Sequence, residues 1–404
     1  MKSALNRRAR ANVRPLLLRC SVALLCLVAL GGCSTVKGWF DGRKSDGKPS
    51  EPMALTDITP SVTVSELWSA NAGKGEGRLG VRQGPVVADG RVYAAALEGG
   101  VRAFDLQTGQ PVWNYASKLR LSGGPGSGDG LVVVGGLDGE VIALDAATGA
   151  EKWQAKVNSE VIAAPAVGMG MVFVRSNDGR VTALDAASGE RRWFWAHEVP
   201  LLSLRGNDAP VLGPGYLFVG NDDGTVTALA GNDGRPLWDQ AVAQPEGRTE
   251  LDRMADVDGT PVLDGTTLYA SSFKRQTIAI DAPSGRPMWT SEHGGANRIG
   301  VASDRLVVSD SNGSVFALDK AGGSALWQQP GLARRNLTAP VVQGDYAVVG
   351  DYDGYLHWLK LDNGEFAART RVGGDALRAA PIVADGVLVV QNVDGKLSAF
   401  RLGQ

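Results

Sequence analysis

The stretch from Ala164 to Trp193, APAVGMGMVFVRSNDGRVTALDAASGERRW, carries the signals that decide the fold. Its short apolar runs are separated by turn signals at Asp178-Gly179 and Ser188-Gly189, and it ends on a tryptophan. The pattern recurs seven times between Gly84 and the C-terminus, at a period of about 40 residues. Short β-type runs at this spacing predict the four-stranded blades of a β-propeller rather than a helical solenoid.

The ends of the repeats give the number of blades. The position that closes each repeat is occupied by Trp113, Trp153, Trp193, Trp238, Trp289, Trp327 and Phe366. The last repeat stops at Leu402 after three strands, whereas an unmatched strand from Val62 to Trp68 precedes the first full repeat. Pairing of this N-terminal strand with the C-terminal strands would complete an eighth blade and close the ring. The sequence therefore predicts an all-β, eight-bladed β-propeller over residues 62–404, with four antiparallel strands per blade.

The acidic and aromatic residues of the repeats have structural interpretations. Asp-Gly pairs such as Asp138-Gly139 and Asp353-Gly354 lie between apolar runs, where a tight hairpin needs positive φ. A second series, exemplified by Asp105 and Gly109, fits turns in which a carboxylate accepts from nearby amides and glycine takes the left-handed conformation. Aromatic side chains also bind sugars and quinones, but a tryptophan repeated once per blade is interpreted as docking neighbouring blades.

The N-terminus has the features of an export signal. Six basic residues and no acid lie in residues 1–32, and an apolar run from Val22 to Leu30 is too short to span a membrane as a mature helix. Leu30-Gly31-Gly32-Cys33 resembles a bacterial lipobox, which implies cleavage after residue 32 and lipidation of Cys33. Residues 33–61 are predicted to be the lipidated cysteine and a flexible tether.

Charge and location follow from this assignment. Removal of residues 1–32 changes the net charge from −2 to −8, because six cations and no acid are lost, and this argues against nucleic acid as a partner. Two or more acyl chains on Cys33 would make membrane attachment effectively permanent. By resemblance to bacterial lipoproteins, Ser34 at the second position of the mature chain implies the outer membrane, with the propeller facing the periplasm.

The sequence gives no positive sign of catalysis. All three cysteines lie within residues 1–33, and His197, His293 and His357 have no neighbours at metal-ligand spacing. Asn221-Asp222-Asp223-Gly224 and Asp351-Tyr352-Asp353-Gly354 resemble fragments of calcium loops but lack the bidentate glutamate. We therefore predict no enzyme activity, no cofactor and no metal site.

Two neighbouring connections between blades are enlarged. Residues 194–209 and 239–260 number 16 and 22, whereas the connections at 114–124 and 154–164 have 11 residues each. The first contains three leucines, Leu201, Leu202 and Leu204, next to Arg205, and the second contains Glu250, Asp252, Asp256 and Asp258. Loops that grow on one face of a rigid scaffold commonly carry function, and exposed leucines mark a protein interface. The alternatives are that the leucines fold back onto the blade below and that the acids are merely solvated.

The enlarged loops also carry a family resemblance. Pro200 to Gly206, Thr249 to Asp258 and Gly350 to Trp358 resemble segments of the BamB family, lipoproteins of the machine that inserts β-barrel proteins into the bacterial outer membrane. The resemblance implies a non-enzymatic scaffold that binds the periplasmic POTRA domains of BamA, and it leaves open direct contact with nascent outer membrane proteins. The family's binding residues fall on Leu202, Leu204, Arg205, Asp256 and Asp258. Arg205 could contact the partner or pair with the acids of the second loop.

Two rival functions use the same scaffold. The blade pattern also occurs in quinoprotein dehydrogenases that use pyrroloquinoline quinone, but those enzymes resemble longer chains with a disulfide near the quinone, and the propeller region has no cysteine. A lipoprotein propeller that binds a different envelope protein is the third reading, because a binding face does not name its partner.

Overall fold

Eight separate four-stranded antiparallel sheets make up the described part of the chain. The structure is a computed structural model, and it describes residues 51–203, 206 and 208–403. The chain from Pro52 onward forms one compact unit, so the predicted eight-bladed, all-β propeller is confirmed. Within the described residues, no helix is long and apolar enough to cross a membrane.

The first four blades follow one another along the chain, and each is a simple meander. Their strands are β2 (Val86–Ala88), β3 (Arg91–Ala96), β4 (Gly100–Asp105) and β5 (Pro111–Tyr115); β6 (Leu121–Gly128), β7 (Leu131–Gly136), β8 (Glu140–Asp145) and β9 (Glu151–Lys156); β10 (Ala166–Gly168), β11 (Met171–Ser176), β12 (Arg180–Asp185) and β13 (Arg191–Ala196); and β14 (Val211–Gly213), β15 (Tyr216–Gly220), β16 (Thr225–Ala230) and β17 (Pro236–Ala241).

A short helix, α1 (Glu250–Arg253), precedes the fifth blade. The strands of blades five to eight are β18 (Val262–Asp264), β19 (Thr267–Ser271), β20 (Thr277–Asp281) and β21 (Pro287–Ser291); β22 (Gly300–Val301), β23 (Arg305–Ser309), β24 (Val315–Asp319) and β25 (Ala325–Gln329); β26 (Val341–Gln343), β27 (Tyr346–Gly350), β28 (Tyr355–Lys360) and β29 (Phe366–Arg371); and β30 (Ile382–Ala384), β31 (Val387–Gln391) and β32 (Lys396–Leu402), with β1 (Val64–Asn71) as the fourth strand of blade eight. The first strands of most neighbouring blades lie against each other around the ring.

The ring closes as the sequence predicts. Strand β1 pairs antiparallel with β32, from Val64 opposite Leu402 to Asn71 opposite Lys396. Strand β32 also pairs with β31, so the end of the chain is hydrogen-bonded on both sides. The two ends of the described chain therefore hold one blade together.

The blade-closing tryptophans dock adjacent blades, which confirms their structural interpretation. The indole N–H of Trp113 in blade one donates to the carbonyl of Ala146 in blade two at 3.0 Å. The ring of Trp113 lies directly against Gly149 in the following turn, where φ is +73°. Trp68 does the same across the closing junction, donating to Leu106 of blade one at 2.9 Å.

Contrary to the sequence expectation, Phe366 does not occupy the tryptophan position of blade seven. Ala368 lies opposite Trp358 there, as Trp113 lies opposite Ala103 in blade one, and Phe366 lies two residues earlier. The lack of a tryptophan at this position has a topological reason. Each tryptophan packs on the turn between the third and fourth strands of the next blade. In blade eight those strands are β32 and β1, which come from opposite ends of the chain and share no turn. A tryptophan in blade seven would therefore lack the glycine turn and carbonyl that its counterparts contact.

The N-terminal part of the described chain corrects the predicted start of the folded region. Residues 52–61, expected to belong to the tether, pack along blade seven: the amide of Met53 donates to Ala333 at 3.0 Å, and that of Ser61 to Ala367 at 2.8 Å. Arg335 and Arg369 donate to the carbonyls of Met53 and Thr56 at 3.1 and 2.9 Å. The propeller thus incorporates about ten residues more than the repeat pattern indicates, because irregular chain held by single hydrogen bonds has no periodic signal.

Candidate partner-binding face

The inter-blade connections and the Asp-Gly hairpins lie on one face of the propeller, here called the loop face. The amide of His197, at the start of the first enlarged loop, donates to Gly179 of a hairpin at 3.0 Å. Val242, at the start of the second, donates in the same way to Gly224 at 2.8 Å. Gly179 and Gly224 have φ of +74° and +92°, as the tight hairpins require. The rigid hairpins therefore position both enlarged loops.

Three leucines of these loops face solvent and form what we call the leucine surface. Leu201 and Leu202 in the first loop are 95% and 42% exposed, so they do not fold back onto the blade. Leu251 in the second loop is 67% exposed. Leu204 and Arg205, two of the predicted binding residues, lie outside the described residues, as does the predicted lipidation site Cys33.

Leu251 was not among the residues predicted from the sequence, and its exposure depends on α1. Thr249 caps this helix: its hydroxyl accepts from the amide of Asp252 at 3.1 Å, and the Asp252 carboxylate accepts from the amide of Thr249 at 3.1 Å. These hydrogen bonds hold the pKa of Asp252 below its usual value. A Thr-x-x-Asp spacing is a capping signal that could have revealed the turn and the leucine on it.

The expectation that Asp256 and Asp258 are part of an exposed acidic segment is wrong. Their side chains are 0% and 5% exposed. The loop runs inward here, because the amide of Val257 donates to Asn221 at 3.1 Å and the carbonyl of Asp256 accepts from Phe273 at 2.9 Å. These main-chain bonds pin the segment beneath the surface, so direct contact of either acid with a partner would require access to a buried site.

The buried acids belong to an acid cluster built from both loops and a hairpin. Carboxylate oxygens of Asp222, Asp256 and Asp258 all lie within 4.8 Å of one another. Arg175, on β11, pairs with Asp222 at 2.8 Å and also with Asp208 of the first loop. Sequence spacing does not show this cluster, since its members are brought together only by the packing of blades three, four and five.

The acid cluster has unusual electrostatics. Burial, and then the neighbouring charges of Asp256 and Asp222, raise the pKa of Asp258 to about 7. Its Oδ1 accepts no hydrogen bond from the described residues. Chemically, such an arrangement can hold a cation, and within the described part of the chain the cation that it holds is the Arg175 guanidinium.

Comparison with known proteins first defines the class. The fold is that of propellers built from PQQ-like repeats: a europium-containing methanol dehydrogenase superposes with a TM-score of 0.69 at 14% identity, covering 84% of this chain and 93% of that one. At that identity the likeness shows the shared fold alone. A family model described as outer membrane protein assembly factor BamB matches residues 97–329 and 311–402.

Close relatives then define the family. The outer membrane protein assembly factor BamB of Xanthomonas campestris pv. campestris is 62% identical over 396 residues, which cover 95% of this chain and 98% of the relative. The crystal structure of BamB from Moraxella catarrhalis matches with a TM-score of 0.76 at 30% identity, covering 84% of this chain and all of that one. The chain belongs to the BamB family. The quinoprotein alternative is therefore not favoured.

Proposed function

We propose that this protein is a non-catalytic scaffold of the outer-membrane β-barrel assembly complex, and that its loop face binds the periplasmic POTRA domains of BamA. Membership of the BamB family supports the role in outer membrane protein assembly. The observation that carries the binding site is the leucine surface, where Leu201, Leu202 and Leu251 face water on two adjoining loops. Transfer of such side chains from water into an interface is the main driving force of most protein association.

Hydrogen bonds restrain the second loop and join it to the end of the first. The two loops are joined by the amide of Ala209, which donates to the hydroxyl of Thr260 at 2.9 Å. The capped helix α1 and the inward-turning segment at Val257 restrain the second loop further. A restrained loop loses less conformational entropy on binding than a flexible one.

We assign different roles to the predicted binding residues according to their burial. Leu202 and Leu204 serve as apolar anchors, and Arg205 serves as a charged contact or as a partner for the acids of the second loop. Asp256 and Asp258 are buried and act as positioning residues that hold the second loop in shape. On this view, replacing either acid weakens binding indirectly, through the loop.

The proposed lipid anchor is inferred from the sequence, because Cys33 lies outside the described residues. Cys33 would carry the lipid that holds the protein at the inner leaflet of the outer membrane, with the loop face available to periplasmic partners. Incorporation of labelled palmitate into the wild-type chain and its loss in Cys33→Ser would support this assignment. Equal labelling of both chains would contradict it.

Calorimetric titration with purified BamA POTRA domains tests the proposed interface. Leu202→Ala, Leu204→Ala, Arg205→Ala and Leu251→Ala should each weaken binding by on the order of 1 to 3 kcal/mol if these residues are hot spots. Leu326→Ala is the matched control, since Leu326 is 49% exposed on β25 and lies on the outermost strand of blade six. Wild-type affinity in all four loop variants, with folding intact, would refute the site.

A further inference from the structure

Three arginines converge on a cavity at the centre of the loop face. The cavity has a volume of about 240 Å³, and its lining includes Arg82, Arg298 and Arg378. We call the cavity with these three arginines the arginine mouth. The three come from different inter-blade connections: Arg82 precedes β2, Arg298 precedes β22 and Arg378 precedes β30. Between them the wall is formed largely by glycine, alanine and proline, so the guanidinium groups are the main polar feature.

Arg298 is the most informative of the three. It is exposed to solvent and lines the cavity, and the surrounding protein atoms lower its pKa. No hydrogen bond or ion pair to the described residues compensates this guanidinium, and burial is the one cause of the shift. A guanidinium without a partner among the described residues that faces a cavity is available to bind an anion.

The remaining charges around the cavity leave it cationic. Arg82 makes no hydrogen bond or ion pair through its guanidinium within the described chain, and Arg378 lies 3.6 Å from Glu76, whose pKa is raised by burial. Asp258 is the acid that lines the cavity, and burial favours its neutral form. Arg378 is paired with Glu76, which leaves Arg82 and Arg298 as two cavity-lining cations without an ion pair among the described residues.

The cavity adjoins the loops that carry the leucine surface. Ala209 and Thr260, which lie at the ends of the two enlarged loops and are hydrogen-bonded to each other, both line it. A polypeptide that extends from the leucine surface across these loop ends would reach the arginines. Guanidinium groups bind carboxylates through short, charge-assisted and often bidentate hydrogen bonds.

We propose that the arginine mouth is a carboxylate-binding site, occupied by an acidic side chain or terminal carboxylate of a polypeptide docked on the loop face, or by a small free carboxylate. Arg298 is the principal ligand, with Arg82 and Arg378 completing the site. The assignment of the carboxylate to a docked polypeptide rests on the proposed function, whereas the carboxylate site itself does not. A binding measurement without BamA therefore tests the carboxylate site separately from the proposed BamA-binding function.

The test uses the full-length protein at low ionic strength and three probes: succinate, an N-acetylated tetraglutamate peptide and the matching tetraglutamine peptide. We expect the tetraglutamate peptide to bind and the tetraglutamine peptide not to bind. Arg298→Gln should weaken tetraglutamate binding at least tenfold, since it removes the charge-assisted contact. Arg286→Gln is the matched control, because Arg286 is an exposed arginine in a turn on the opposite face, and it should change affinity less than twofold.

Each outcome bears on the site. Binding of succinate as well as tetraglutamate would show that a free carboxylate suffices, and binding of tetraglutamate alone would favour the polypeptide source. Failure of both acidic probes to bind, or equal affinity in wild type and Arg298→Gln, would overturn the proposal. Because Arg298 has no partner in the described chain, Arg298→Gln should not lower the thermal midpoint. If it does, Arg82→Gln provides the second test, with the same expected loss of tetraglutamate binding.

Discussion

The contact between blade-closing tryptophans and glycine turns leads to a quantitative prediction. A Cβ added at Gly149 would lie 2.6 Å from the ring of Trp113, whereas carbon atoms in good contact are about 3.5 to 4.0 Å apart. The ring cannot retreat freely, since its N–H donates to Ala146 at 3.0 Å. Gly149→Ala therefore combines a left-handed backbone penalty with overpacking.

Gly130, in the same blade, supplies the matched control. Its φ of +75° is almost that of Gly149 at +73°, but nothing lies within 4 Å of an added Cβ. Gly130→Ala should cost about 1 to 2 kcal/mol of unfolding free energy for the backbone alone. Gly149→Ala should cost about 1 to 3 kcal/mol more, because overpacking adds to the same backbone term.

Urea denaturation followed by both fluorescence and circular dichroism measures the two losses of unfolding free energy. If the two probes give the same transition, unfolding is two-state and the free energies of the variants can be compared. Repeating Gly149→Ala in a Trp113→Leu background should remove the excess cost, as a double-mutant cycle requires of residues in contact. Equal destabilisation by Gly149→Ala and Gly130→Ala would refute the assignment of the tryptophans as blade-docking residues.

Two further predictions concern the acid cluster and ring closure. Because burial raises the pKa of Asp258 from 3.8 to about 7, its ionisation opposes folding, and this cost grows as pH rises from about 4 to about 7. Asp258→Asn should therefore be more stable than wild type at pH 8 by up to about 4 kcal/mol and nearly equal to it at pH 4; a variant less stable than wild type at pH 8 in thermal denaturation would contradict this. Deletion of residues 396–404 removes β32, which pairs on both sides, and should abolish cooperative unfolding, whereas deletion of 403–404 should preserve it. A cooperative transition in the longer deletion would show that closure is dispensable.

The fold was predictable because its signals are local and repeated. Asp-Gly hairpins and the Gly149 type of turn need particular backbone conformations, and the same chemistry recurs in blade after blade. The unmatched N-terminal strand that carries Trp68 revealed the closure for the same reason. The break in the tryptophan series at blade seven marks the junction at which the next blade lacks a turn, but Ala368 rather than Phe366 occupies the position, because the sequence alone does not fix the strand register.

The candidate site was only partly predictable, since burial within an irregular loop depends on where the chain runs. Loop length located the functional face, and Leu201 and Leu202 are exposed as expected. Asp256 and Asp258 looked like surface acids, but main-chain bonds turn them inward towards Asp222, which pairs with Arg175 of a different blade. The arginine mouth has no sequence signature either, because its members lie in three separate connections around a ring.

Photo-crosslinking in cells tests the central claim most directly. A photoreactive residue at position 202 or 251 should form a crosslink to the POTRA domains of BamA, because both leucines face solvent on the loop face. The same residue at position 326, on the outermost strand of blade six, should not. Crosslinks to BamA from 326 but not from 202 or 251 would contradict the assignment of the loop face as the partner-binding surface.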